Sequence, residues 1–290
     1  MNTTIWLVRR EFWENRAIWI IPAVIGALLV LAALFGKVNI NLPGPLPVHA
    51  FGQLFMVTVG GTFFVVMSIY ATWYLLDCLY ADRRDRSVLF WKSLPISDTL
   101  TVLSKLGTAL LVIPLVYFAA ADATTLIMAF IVSVRAGSTI GAGVWHLDLW
   151  VQLQALWIYL IVTTAIWYLP IAGYLLIVSA WAKRAVMLWS ILPPIALLIA
   201  ERWFVGTHVT AQLLWERMVG WVPLAFHINP GEGVWVTSVV DNDTIRTPQS
   251  LWSLLNAADF FASPQTWLGV AVGAALIIGA IQLRMRRTEI

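Results

Sequence analysis

The sequence predicts an all-α integral membrane protein with six transmembrane helices and both termini on the cytoplasmic side. Three observations predict it. Hydrophobic residues make up 60% of the chain and charged residues only 11%, against about 45–50% apolar in soluble domains, so the few charges cannot cover the apolar surface. Several apolar runs reach the roughly 20 residues that a helix needs to cross the hydrocarbon core. The basic residues also fall unevenly about those runs, which sets orientation.

Residues 3–16 (TTIWLVRREFWENR) come first. At helical spacing Ile5, Val8 and Phe12 share a side flanked by Trp6 and Trp13, while Arg10 and Glu14 sit four apart on the opposite side and can pair. Arg9 and Arg16 fall near the apolar side and must snorkel towards phosphates. The pattern predicts an interfacial helix; a basic flank that only sets topology is the alternative. The run from Ala17 to Gly36 is longer than a signal-peptide core and reads as a retained first span.

The predicted spans are 17–36, 51–76, 106–134, 150–180, 186–203 and 266–283. Pro22, Pro114, Pro170 and Pro193–Pro194 lie inside them, where each removes a backbone hydrogen bond and kinks its helix. With the N-terminus inside, Arg9, Arg10, Arg16, Arg83, Arg84, Arg86, Lys92, Lys105, Lys183, Arg184, Arg284, Arg286 and Arg287 face the cytoplasm. Lys37, Arg135, Arg202, Arg217 and Arg246 face outward, so the division is thirteen against five. Residues 1–290 therefore form a single transmembrane domain with a short outer loop at 37–50, a cytoplasmic loop at 77–105 and an external segment at 204–265. Within that segment, 209–221 and 250–262 are apolar on one side and too short to span, as interfacial or re-entrant helices are.

The cytoplasmic loop is dense in charge of both signs. Arg83, Arg84, Arg86, Lys92 and Lys105 stand against Asp77, Asp82, Asp85 and Asp98, with the apolar ridge Val88, Leu89, Phe90 and Trp91 between them. Mixed charge gives directional pairing with a protein surface, and an apolar ridge supplies anchors. Pro95 ends a short helix, and Ser97 or Asp98 can cap the next. The loop reads as a rigid docking element for a cytoplasmic partner, with a solvated charged loop as the alternative.

These residues resemble the cytoplasmic loop of ABC-2-type transporter permeases, the membrane subunits of one class of ATP-binding-cassette exporters. The resemblance rests on Asp85–Arg86, the stretch Ser87 to Ser93, Ser93–Leu94–Pro95–Ile96–Ser97 and Lys105 opening the third span. It rests also on "LVRREFWENR", 7 to 16, which is similar to that family's amphipathic connecting helix. Six spans and a long outer segment before the last one extend the likeness over essentially the whole chain. One departure is Asp85, where the family often carries Glu. The resemblance implies a coupling helix between spans two and three, docked in a groove of a separate cytoplasmic ATPase present in two copies. It also implies a second permease copy or homologue. Asp82, Arg83, Arg84, Asp85, Arg86, Val88, Leu89, Phe90, Trp91, Lys92 and Pro95 would form the docking surface. ATP and Mg would be bound by the partner, with no cofactor in this chain.

Other chemistry finds no pattern. The chain has no G-x-x-x-x-G-K-[ST] loop, no G-x-S-x-G and no H-E-x-x-H, so neither ATP hydrolysis nor the common hydrolase chemistries are expected of it. His49, His146, His208 and His227 have no ligand spacing, and a single cysteine excludes an intramolecular disulfide. Asp122 lies near the middle of the third span, where an ionisable group is a functional candidate by default. It reads either as a contact on a translocation path or as a carboxyl group hydrogen-bonded to a neighbouring helix. Tyr159, Thr163, Thr164 and Tyr168 offer polarity for the same interior. Two further functions compete with the exporter reading. One is a secondary carrier coupled through Asp122; the other is a non-transporting anchor that recruits a cytoplasmic partner. The bilayer is a partner in each case and nucleic acid in none. The composition suits a bacterial inner membrane, and the substrate is not encoded in any motif.

Overall fold

The computed structural model describes residues 3–36, 48–85, 97–136, 143–227, 239–241, 244–246 and 250–286. Six helices among them are long and apolar enough to cross a membrane, so the chain is a multi-pass integral membrane protein. The N-terminal helix α1 (Thr3–Glu14) turns at Asn15–Arg16 into α2 (Ala17–Phe35), the first span. The second span, α3 (Val48–Arg84), runs beyond the apolar stretch that marks it in sequence. Asp82 and Arg83 can extend it because neighbouring helices supply their partners. The third begins at α4 (Asp98–Gly107), passes through a π turn (Thr108–Val112) and continues as α5 (Ile113–Ala136).

The fourth predicted span is two helices, α6 (Leu147–Trp167) and α7 (Leu169–Trp181), joined at Tyr168. Pro170 has no N–H to give to the preceding turn, and the helix bends where that bond is missing. A four-residue turn with Ala185 at φ 52° leads to α8 (Val186–Ala200) and a second π turn (Glu201–Val205). The segment between the fifth and last spans holds α9 (Val209–Val219), α10 (Trp221–Ala225), a β1–β2 ribbon (Val239–Asp241, Thr244–Arg246), a 3-10 turn (Leu251–Leu254) and α11 (Ala257–Ala262). The last span is α12 (Pro264–Arg286). Its short helices fall where the sequence places interfacial or re-entrant ones.

Close approaches fix how the spans run. Gly273 lies against Leu169, Gly173 against Leu276 and Gly279 against Ile177, so α7 and α12 are parallel. A Cβ on Gly273 would stand 2.8 Å from the Leu169 carbonyl carbon and 2.9 Å from the Pro170 nitrogen, so only glycine lets these backbones touch. Gly26 meets Thr124, and Arg135 reaches the Ala33 carbonyl, which makes α2 and α5 parallel as well. Against α3 the order reverses: Tyr70 stacks on Tyr117, and Asp82 pairs with Lys105 nearer the start of α4. The spans therefore alternate in direction. The end of α1, the end of α3, the start of α4, and the ends of α7 and α12 meet at one end of the bundle. In α8 only Val186 is buried, and the helix touches α7 through Trp189 on Trp181 and the Ser190 carbonyl on the Tyr174 hydroxyl.

Candidate functional site

At this end six charged side chains meet inside the protein. Glu11 is 1% exposed and Lys105 2%, the two least exposed of the six. Lys105 Nζ lies 2.9 Å from Glu11 Oε1 and 3.2 Å from Asp82 Oδ1. Arg10 Nη2 reaches Glu11 at 2.8 Å and stands 3.9 Å from Asp82. Arg284 pairs with Asp82 at 3.1 Å through Nη1 and with Asp98 at 2.9 Å through Nε. The Tyr74 hydroxyl donates to Glu11 Oε2 at 2.7 Å. Acids and bases alternate, and the three positive charges balance the three negative ones. Charge this deep is tolerated only when paired and hydrogen-bonded, and here each group has partners from other helices.

Local sequence sets the geometry. Glu11 is one helical turn from Leu7, which is also buried, so the inward face of α1 is Leu7 with Glu11, and Arg10 lies beside it. The expected apolar side is only partly the packed one: Phe12 is half-buried against the core, while the side chains of Ile5 and Val8 lie outside the described residues. Arg10 and Glu14 do pair, at 3.2 Å. Arg9 points away from the bundle between Trp6 and Trp13, its guanidinium 5.4 Å and 5.3 Å from the two rings. On α4, Ser97 caps the first turn by accepting from the Leu100 N–H at 3.2 Å, and that start aims Lys105, two turns on, into the bundle. The sequence reading counted Lys105 among the loop charges and as the opening of a span, placed Arg284 among the residues that set topology, and gave Glu11 no role. The available signal was an acid on α1 beyond the Arg10–Glu14 pair, with basic residues at the ends of two spans to match it.

The docking residues divide. Asp82 belongs to the buried cluster. Arg83 turns inward as well, donating to the Ser179 and Ala182 carbonyls at the end of α7, the latter at 2.9 Å. Such contacts satisfy carbonyls that have no partner within a helix. Ser179 completes the joint, since its Oγ accepts from the N–H groups of Leu79 and Tyr80 at 3.1 Å each. Arg84 and Asp85 are exposed and pair with each other at 3.0 Å. Arg86, Val88, Leu89, Phe90, Trp91, Lys92 and Pro95 lie outside the described residues, and with them the predicted coupling helix.

The pathway candidates also separate. Asp122 is half-buried and accepts a 3.0 Å hydrogen bond from Gln154 Nε2 on α6. Tyr159, Thr163 and Tyr168 do not join it. Thr163 is fully buried and donates to the Tyr159 carbonyl of its own helix. The Tyr159 hydroxyl donates to the Ala225 carbonyl at 2.8 Å and the Tyr168 hydroxyl to the Met218 carbonyl at 3.1 Å. Trp167 Nε1 donates to the Arg217 carbonyl at 2.9 Å, so three side chains of the α6–α7 junction region hold α9 and α10 by their backbone. Arg217 in turn lies 4.4 Å over the Trp167 ring and donates to the Gln265 carbonyl. Burial pushes its pKa down, with Glu216 opposing.

Among the described residues no group of histidine, cysteine or carboxylate side chains is placed to hold a metal ion. The chain matches no family model, no curated protein and no solved structure.

Proposed function

We propose that the chain is the membrane permease subunit of an ATP-driven exporter, set in a bacterial inner membrane with both termini in the cytoplasm. A separate ATPase in two copies would drive it, and a second permease copy would complete the pathway. The observation that carries this reading is the buried charge cluster. It joins the N-terminal helix, both roots of the loop 86–96 and the last span into one unit. A docking loop that transmits movement needs roots that cannot swing independently of the spans. Asp82 and Arg83 on one side and Asp98 on the other provide such roots. Under this reading Leu89, Phe90 and Trp91 carry affinity for the ATPase, while the exposed Arg84–Asp85 pair, Arg86 and Lys92 set orientation.

The test is a pull-down from native membranes with a C-terminal tag, wild type beside the Phe90→Asp/Trp91→Asp double variant. A co-purifying ATPase that is lost with the double variant supports the proposal. A correctly inserted wild-type protein that brings down no ATPase refutes it. Asp122 gives the second reading its one support, because its hydrogen-bond partner deep in a span is a neutral amide. A proton-coupled carrier would lose uphill transport with Asp122→Asn, whereas an ATP-driven permease would keep it.

A further inference from the structure

Between α3, the π turn, α6 and α7 the bundle does not close. A pocket with about 560 Å³ of empty space, measured out to its open side, lies there. Its origin is local. The third span is widened by the π turn at 108–112 just before Pro114, and the fourth breaks at Tyr168 just before Pro170. Both interruptions border the same gap, and the alanines 71, 109, 165 and 172 are too small to fill it. π turns inside α-helices recur at functional sites.

No charged side chain lines the pocket, and aliphatic groups such as Leu110, Ile161 and Leu175 form most of its wall. Its polar content is four hydroxyls. Those of Ser68 and Thr72 donate to carbonyls one turn back at 2.9 and 2.8 Å, and that of Tyr168 donates to Met218. The fourth, Thr164 Oγ1, is buried and has no hydrogen-bond partner. A buried hydroxyl left so is unfavourable, and Thr163 beside it avoids that cost by bonding its own helix. Thr72, an exposed residue of the second span, stands at the rim.

We propose that this pocket binds one uncharged amphiphile drawn from the bilayer, its alkyl chain along the aliphatic wall and a hydroxyl or carbonyl group on Thr164. Ions are excluded because the wall offers no opposite charge. Ordered water is disfavoured because it needs two to four polar partners in a wall that is almost wholly aliphatic. A bare hydrocarbon would leave Thr164 unsatisfied. This inference stands independently of the ATP-driven reading.

The experiment uses the purified full chain in lipid nanodiscs and two photoreactive probes, a long-chain alcohol carrying a diazirine and the matching alkane without its hydroxyl. The alcohol is expected to label peptides containing Ala109 and Ala172 saturably and to be displaced by unlabelled alcohol. Thr164→Val should weaken the alcohol about three- to tenfold and leave the alkane unchanged. Ala172→Phe, which fills the pocket, should abolish saturable labelling of both. Thr164→Val keeps the side-chain shape, so the test survives if the filled variant fails to fold. Labelling that never saturates and spreads over the exposed face of α8 would overturn the proposal, as would a Thr164→Val variant that binds both probes like wild type.

Discussion

Lys105→Met asks how much the buried cluster stabilises the fold. Lysine and methionine have similar volume, so the substitution removes charge with little change in packing. Two short contacts disappear, to Glu11 at 2.9 Å and to Asp82 at 3.2 Å. Three carboxylates then share two guanidiniums where charge had balanced. Glu11 keeps Arg10 and Tyr74, and Asp82 keeps Arg284, so neither acid is abandoned. Breaking a buried pair on one side costs about 3–5 kcal/mol, because the partner's charge stays buried. The remaining contacts argue for the lower end, near 3 kcal/mol. For a chain of this size that corresponds to a fall in Tm on the order of 10 °C.

Cys78 supplies the assay. It is the sole cysteine and is 5% exposed, one turn from Asp82, so a thiol-reactive dye reports when this region opens. Glu11→Gln should also destabilise by itself. In the Glu11→Gln/Lys105→Met double variant two acids again face two bases, and the loss should be smaller than the sum by about 1–3 kcal/mol. Additive losses, or a Lys105→Met variant that melts within 2 °C of wild type (about 1 kcal/mol or less), would refute the view that the cluster stabilises the folded chain.

Two glycines make opposite predictions in the same dye assay. Gly273→Ala drives a methyl into the backbone of Leu169 and Pro170 and should destabilise by roughly 1–3 kcal/mol; Gly61→Ala meets nothing within 4 Å and should be neutral or stabilise by up to about 1 kcal/mol through helix propensity. Arg83→Ala removes the contacts to the end of α7 and should cost about 1–2 kcal/mol; if Arg83 instead serves only the loop surface, melting will not change. A Tyr168→Phe/Tyr159→Phe variant loses two of the three bonds that the α6–α7 junction region gives to α9 and α10 and should speed proteolytic cleavage within 209–225, with the spans intact.

Span number, the N-terminal helix, the Ser97 start of α4 and the short helices before the last span were legible because each leaves a local mark: an apolar run, a period or a cap. What the sequence hid is three-dimensional pairing. Arg83 and Arg84 are neighbours of identical type, yet one packs on α7 and the other faces solvent beside Asp85. Nothing within three residues of either distinguishes them, because the choice depends on where Ser179 and Ala182 come to lie. Glu11 is hidden for the same reason, since its partner is 94 residues away. The second predicted span ended at residue 76 because charge begins at Asp77, whereas the helix continues to Arg84, where Asp82 and Arg83 find partners on neighbouring helices. Tyr159, Thr163 and Tyr168 read as one polar group with Asp122 because polarity carries no direction; their bonds lead instead to α9, α10 and their own helix.

Arg284 is the residue on which the proposed coupling turns. It bonds Asp82 before the loop and Asp98 after it, so one side chain from the last span holds both roots of the loop. A push delivered to the loop would reach α12 through those two bonds and α1 through Lys105 and Glu11. Arg284 carries little of the docking surface, because it is 9% exposed. Docking and transmission are therefore separable. Under the exporter reading, Arg284→Gln should still pull down the ATPase, as Phe90→Asp/Trp91→Asp should not. ATP-dependent transport should nevertheless fall at least tenfold, since a neutral amide cannot balance Asp98 and α12 then comes away from both roots, which Lys105 still joins to each other. Arg284→Lys restores charge but not the two-pronged reach, and should recover stability more fully than transport. If Arg284→Gln transports at the wild-type rate, movement does not pass through this cluster, and the six charges serve folding alone.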